Sequence, residues 1–138
     1  MDERKESLED WLRTCTSFKE PHLETVSADA SFRRYFRISD LGKSWIVMDA
    51  PPDLEPCEPF VNIGSRMRDA DINVPKIIAQ DLKQGFLILS DFGDVHYQDV
   101  LDGPDHEELY DLAISEILKF QSELSGFAEL LPAFDREW

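Results

Sequence analysis

The sequence predicts an α+β fold: a five-stranded, mainly antiparallel sheet covered by helices and followed by a helical extension. Three observations predict it. An amphipathic repeat opens the chain. Runs rich in aromatic and β-branched residues then come as a group of three and a group of two, on either side of a second helical segment. After Gly93 the apolar spacing turns helical and stays so.

Leu8, Trp11, Leu12, Cys15 and Phe18 recur at helical spacing with charged residues between them, which predicts a helix over 3–18. Pro21 ends it. "LETVSADASFRRYFRI" is broken at Ala28-Asp29-Ala30, as two strands joined by a tight turn would be. "SDLGK" (39–43) makes the next turn and "SWIVMDA" (44–50) the third strand. The prolines of "APPDLEPCEP" stop that strand, because proline donates no ladder hydrogen bond. Pro59 fits the first turn of a helix over about 58–70, marked by Phe60, Ile63, Gly64 and Met67. "INVPKIIAQD" and "QGFLILS" supply two strands around Leu82-Lys83-Gln84.

Tyr97, Val100 and Leu101 form a short helical face that Asp102-Gly103-Pro104 breaks. A longer helix over about 105–124 follows. Pro104 suits its first turn, Asp105, Glu107 and Glu108 favour the positive end of its dipole, and Leu109, Leu112, Ala113, Ile117, Phe120 and Leu124 build a wide apolar face. That face predicts a homodimer through the helix near 105–124. Sheet gives way to helices at Asp91-Phe92-Gly93, so residues 1–93 and 94–138 are the expected parts.

At 138 residues the chain has length for about one domain and is short for a two-lobed enzyme. Its 29 acids against 14 bases, net charge −15, oppose nucleic acid and anionic membranes, whose phosphates need clustered cations. Cys15 and Cys57 form no C-x-x-C pair and the three histidines show no metal-ligand spacing, so two buried or idle thiols and no metal site are expected. "MDERKESLED" lacks the apolar core of a signal peptide, and no run approaches the ~20 apolar residues of a membrane span. A cytoplasmic protein is the expectation.

Asp91-Phe92-Gly93 has the letters of the magnesium-binding tripeptide of protein kinases, but no H-R-D-x-x-x-x-N loop precedes it. From the residues alone, two readings stay open. One is a plain strand-to-helix turn with Asp94 capping the next helix. The other is a site for adenine, which a backbone N–H and C=O read along the ring edge while apolar side chains cover its faces.

"ADASFRRYFRI", "SWIVMDAPPDLEP" and "VPKIIAQDLKQGFLILSDFGDVHY" together resemble the N-terminal part of the aminoglycoside phosphotransferase-like kinases. The nearest branch is the bacterial anomeric amino-sugar kinases, which act on N-acetylmuramate and N-acetylglucosamine. The resemblance implies a protein-kinase-like N-lobe with ATP as ligand and magnesium in a complete two-lobe enzyme. Asp91-Phe92-Gly93 would be the hinge, with Leu89, Ser90, Asp91 and Phe92 around the adenine. "SADASFRRY" would cover the phosphates through Ser31, Phe32 and Arg33, without the glycines usual in such loops.

Alternation puts Arg33, Tyr35 and Arg37 on one strand face and Phe32, Arg34, Phe36 and Ile38 on the other. The arginines are either functional or simply solvated and ion-paired. Ile46, Met48 and Ala50 share a face of the third strand, and the resemblance puts Met48 where kinases keep the phosphate-pairing lysine. Met48 and Ile46 would cover adenine or ribose, or pack in the core; the usual ion pair is then either absent or rebuilt from another residue such as Arg33 or Arg34, with Glu55 and Glu58 as the acids near the next helix.

The family's catalytic and metal-binding residues belong to a larger C-terminal lobe, and nothing after Gly93 supplies them. The expectation is therefore an inactive nucleotide-binding lobe with the first helices of a second, sugar-binding lobe, and no catalytic residue is nominated. The alternative is a stand-alone nucleotide- or partner-binding module.

Overall fold

The computed structural model describes residues 2–17, 21–28 and 31–130. Along it run α1 (Glu3–Cys15), β1 (Glu24–Ala28), β2 (Arg34–Asp40), β3 (Lys43–Asp49), α2 (Glu58–Asp69), β4 (Ile77–Asp81), β5 (Phe86–Ser90), α3 (Tyr97–Val100), α4 (His106–Glu123) and a 3-10 turn at Ser125–Leu130. The expected fold class and element order are met. Phe18 and the Asp29-Ala30 part of the first turn lie outside the described residues. The sheet order is β1-β2-β3-β5-β4, and every neighbouring pair is antiparallel.

Two compact units make up the chain: Met1–Ile63 with Pro75–Phe92, and Gly64–Val74 with Gly93–Trp138. The first unit holds the sheet. One sheet face carries Phe36, Ile38, Val47, Phe86 and Ile88 under Leu8, Leu12 and Trp11 of α1. Leu8 and Leu12 stand one helical turn apart and are both fully buried. Trp11 meets Phe86 with ring centroids 5.7 Å apart. The opposite face carries Met48, Ala50, Leu87 and Leu89, packed with Tyr35, Ile46, Phe60 and Val61. β5 lies between β3 and β4 with both faces covered, which is why Phe86–Leu89 reads as an unbroken apolar run instead of an alternation.

The α1 face is also closed by a buried charge. Asp49 has no solvent exposure. Its carboxylate accepts from Arg4 Nε at 3.0 Å and from Arg34 Nε and Nη2 at 2.9 and 2.5 Å. Arg34 is the register partner of Asp49 across β2 and β3, and it also pairs with Asp2, the N-cap residue of α1. Its guanidinium holds the Asp2 carboxyl below the usual range. Arg4 further donates to the Gln84 carbonyl at 2.9 Å, so α1, β2, β3 and the β4–β5 turn meet at one carboxylate.

Both edge strands carry register irregularities, between Thr25 and Ser27 on β1 and between Ile77 and Ala79 on β4. Each leaves an apolar side chain, Val26 or Ile78, facing solvent and interrupts an edge that would otherwise invite pairing. Both cysteines are free, but only Cys57 is buried; Cys15, the last residue of α1, is exposed. Burial pushes both thiols up.

In the second unit Lys119 of α4 reaches the Asp71 carboxylate at 3.2 Å and also pairs with its carbonyl. Arg66 lies over the Phe127 ring at 4.6 Å. The His96 N–H donates to the Asp99 carboxylate at 2.9 Å, so the N-cap of α3 is His96 and not Asp94. No residue of α4 is buried, and Leu112, Ile114, Ile117, Leu118 and Phe120 are exposed.

Two glycines with positive φ separate backbone strain from lack of space. Gly42 (φ +77°) ends the Leu41-Gly42 loop of the β2–β3 hairpin, and a Cβ there would meet nothing within 4 Å. Gly85 (φ +75°) accepts from the Ala50 N–H at 2.9 Å, and a Cβ there would stand 1.8 Å from the Ala50 carbonyl oxygen. Gly42→Ala is expected to cost about 1–2 kcal/mol. Gly85→Ala should cost about 2–4 kcal/mol, because the turn must move as well. Urea unfolding of the two variants checks the difference; equal losses would contradict it.

Candidate functional site

β5 leaves the sheet through Ser90, Asp91 and Phe92, the last residues of the first unit. Ser90 is fastened to the approach of β4: its N–H donates to the Lys76 carbonyl and its Oγ accepts from the Lys76 N–H, both at 2.9 Å. The backbone N–H of Ser90 is therefore already engaged. Asp91 is anchored by its side chain, which takes Arg37 Nε at 2.6 Å and Nη2 at 3.2 Å. Arg37 stands opposite Ile46 on β3, which stands opposite Leu89 on β5. The arginine thus spans two strand spacings, roughly 9–10 Å, to reach the end of β5. The Asp91 side chain retains 4% of its exposure and that of Arg37 17%.

Phe92 differs from its neighbours. Its side chain is exposed, and among the described residues its N–H and C=O make no hydrogen bond. Gly93 follows with φ +80°, a conformation that suits glycine and turns the chain away from the strand direction. A clamped strand end, a backbone donor and acceptor without a partner among the described residues, and a glycine of positive φ thus occupy three consecutive positions.

A second cluster gathers on the same sheet face at the start of β2. Arg33 pairs with Glu55 through Nη2 and Oε1 at 2.9 Å and lies 5.6 Å from the Phe60 ring centroid. The other Glu55 oxygen accepts from the Phe32 N–H at 3.4 Å, and Ser31 Oγ accepts from the Arg33 N–H at 3.2 Å. The backbone donors of Phe32 and Arg33 are thus turned inward on their own segment. What remains toward solvent is the Ser31 hydroxyl and part of the Arg33 guanidinium.

The three arginines of "FRRYFR" therefore have separate partners. Arg33 and Arg37 share the face of Tyr35, as alternation requires, and Arg34 lies on the other. Arg34 is engaged by Asp49 and Asp2, whereas Arg33 pairs with Glu55, which precedes α2. Met48 and Leu89 are core residues, 0% and 3% exposed, whereas Ile46 keeps part of its surface. Sequence reasoning placed Asp49 in the third strand but gave it no role. Its register opposite Arg34 was the available signal.

A family model described as "Phosphotransferase enzyme family" matches residues 22–137. The chain belongs to this family. It is 40% identical, over 97% of its length, to the N-acetylmuramate/N-acetylglucosamine kinase of Pseudomonas aeruginosa. To proteins of the same name it is 48% identical over 72% of its length (Pseudomonas putida) and 33% identical over 98% (Neisseria meningitidis). The chain spans 42%, 29% and 41% of those three proteins' own lengths.

The Arg37–Asp91 clamp makes a stability prediction for this phosphotransferase segment. Asp91→Ala leaves a mostly enclosed guanidinium without its carboxylate and should destabilise the chain by about 2–4 kcal/mol. Phe92→Ala, at an exposed site, should change stability by no more than about 0.5 kcal/mol. Denaturant midpoints of the two variants decide it, and an Asp91→Ala midpoint equal to the parent's would show that the clamp does not hold the strand end.

Proposed function

We propose that the chain forms the nucleotide-binding part of a small-molecule kinase acting on a sugar or amino sugar, with ATP as phosphate donor. The observation that carries this reading is the 40% identity, over 97% of the chain, to a kinase named for N-acetylmuramate and N-acetylglucosamine. In it, residues 1–93 form the lobe that takes the nucleotide and 94–138 begin the region to which the sugar belongs.

The residues present fit adenine. Phe92 offers one backbone N–H and one C=O, which is what the ring edge needs, and the clamp on Asp91 fixes their direction. Ile46 supplies apolar surface beside them, with Met48 and Leu89 as the packed floor beneath. Ser31, Phe32 and Arg33 lie toward the phosphates. ATP, when bound, supplies the transferable phosphoryl group; this chain's part is to bind and orient it. Magnesium would accompany ATP in the larger enzyme. The reading implies a cytoplasmic site of action, where ATP is available. Among the described residues no helix is long and apolar enough to cross a membrane.

Adenosine alone tests the hinge. Titrated into isotope-labelled chain, it should shift the Phe92 and Gly93 amides first and bind weakly, because one lobe encloses only part of the ligand. Shifts confined to other segments, or none at millimolar adenosine, would overturn the assignment.

The apolar side chains left exposed on α4 lead to a second expectation for the 138-residue chain. A second copy covers them, giving a homodimer through the face that contains Leu112, Ile117 and Phe120. The net charge of −15 opposes association, so dimerisation should strengthen as salt screens it. Ile117→Glu should weaken it by placing a charge in the contact. Sedimentation across salt concentrations is the check. A monomer throughout, with the variant indistinguishable from the parent, would refute the dimer.

A further inference from the structure

The start of β2 is held from both faces of the sheet, and one hold comes from α1. On the Tyr35 face Glu55 takes the Phe32 N–H and the Arg33 guanidinium. On the other face Arg34 is taken by Asp49 and Asp2. Asp49 divides its buried carboxylate: Oδ2 accepts from Arg34, and Oδ1 accepts, among the described residues, from Arg4 of α1 alone. Arg4 therefore completes the group that sets Arg34.

Arg4 also fixes where β3 ends. Its Nη2 donates to the Gln84 carbonyl at 2.9 Å, and beside that contact the Ala50 N–H donates to the Gly85 carbonyl at 2.9 Å. Residue 49 is thus joined to 84 through the guanidinium and 50 to 85 through backbone. The chain then turns at Pro51, whose carbonyl accepts from the Leu54 and Glu55 N–H groups at 3.0 and 2.8 Å, which sets where Glu55 stands. A shift of Asp49 reaches the start of β2 by two routes, through Arg34 across the strands and through residues 50–55 to Glu55.

The helix that carries Arg4 has two discrete states available to it. At 13 residues α1 is near the lower limit for a helix that persists alone in water, so its helical state depends on docking. Leu8, Leu12 and Trp11 hold it to the sheet by apolar contact, and Asp2 and Arg4 by charge. Undocking removes Arg4 from Asp49 and Asp2 from Arg34 together, and leaves an enclosed carboxylate with one cation where it had two.

We propose that α1 is a brace for residues 31–33: Arg4 acts through Asp49 as a positioning residue, and docking of α1 and binding of a polyphosphate at that segment strengthen each other. The inference rests on the reading of this segment as the phosphate side of a nucleotide site. Its adenine side is anchored independently, by Arg37 on Asp91 at the far end of β5, so α1 acts on the phosphate side alone. Coupling of this kind is reciprocal, and so it is measurable from either partner.

Hydrogen exchange in the unmodified 138-residue chain reads it from the helix. Without ligand, α1 amides should exchange faster than those of β5, by local undocking. Saturating inorganic tripolyphosphate or ATP, at constant ionic strength and without added metal, should slow them about threefold or more, and adenosine should leave them within about twofold. Binding reads it from the ligand. Arg4→Met, which keeps an apolar side chain by Phe86 but loses the fork, should weaken tripolyphosphate and ATP about three- to tenfold and leave adenosine within about twofold. A merely structural helix would lower all three together, through the folded fraction. If Arg4→Met fails to fold, the exchange measurement on the parent decides alone.

Amides of α1 that exchange as slowly as those of β5, or that tripolyphosphate leaves unmoved, would overturn the proposal. Slowed α1 exchange with tripolyphosphate, in a chain that never binds adenosine, would support it and remove the adenine site. A parent that ignores tripolyphosphate and binds ATP no tighter than adenosine overturns the proposal and leaves the adenine site standing.

Discussion

A carboxylate with no access to water must be surrounded by cations, and Asp49 imposes that condition on the whole sheet unit. It sits at the last position of β3, where the strand meets two prolines and has to stop. Arg34 meets it from the neighbouring strand and Arg4 from α1, and each arginine reaches on to a second group. The angle at which α1 crosses the sheet is thereby tied to the register of β2 against β3. Apolar burial of Leu8 and Leu12 supplies the attraction between helix and sheet, but burial alone is not directional. The ion pairs are directional, and they select one seating among those that would bury the same area.

That face is closed by α1 and a charge network, and the other carries Met48, Ala50, Leu87 and Leu89. There, polar groups appear at two places, the start of β2 and the end of β5, and both are organised by one carboxylate and one arginine. Glu55 with Arg33 orders the first; Asp91 with Arg37 orders the second. The two pairs differ in what they leave over. Asp91 and Arg37 engage each other in a fork, so their product is a rigid backbone at Phe92. Glu55 divides its oxygens between a backbone N–H and a guanidinium, so its product is an oriented cation.

Much of this was legible in the chain of letters. Helical spacing at Leu8, Trp11 and Leu12, the "SDLGK" turn and the unbroken run from Phe86 each produce the element they imply, because short-range spacing and turn chemistry are local properties. Strand alternation also placed Arg33 and Arg37 on one face and Arg34 on the other. The partners of those arginines were not legible. Asp49, Glu55 and Asp91 lie 15, 22 and 54 positions from the arginines they meet, separations that follow from |49−34|, |55−33| and |91−37| and carry no local signal.

The sequence by itself determined the order of elements, the continuous apolar run of β5 and the resemblance to phosphotransferases. Only the tertiary structure decided that Arg33 pairs with Glu55 while Arg34 pairs with Asp49 and Asp2, that the backbone N–H of Ser90 is engaged while that of Phe92 has no partner among the described residues, and that His96, not Asp94, caps α3. The physical reason is common to all three. A hydrogen-bonding group is available only when nothing else has claimed it, and the claimants are brought close by strand register and helix packing, not by their positions along the chain.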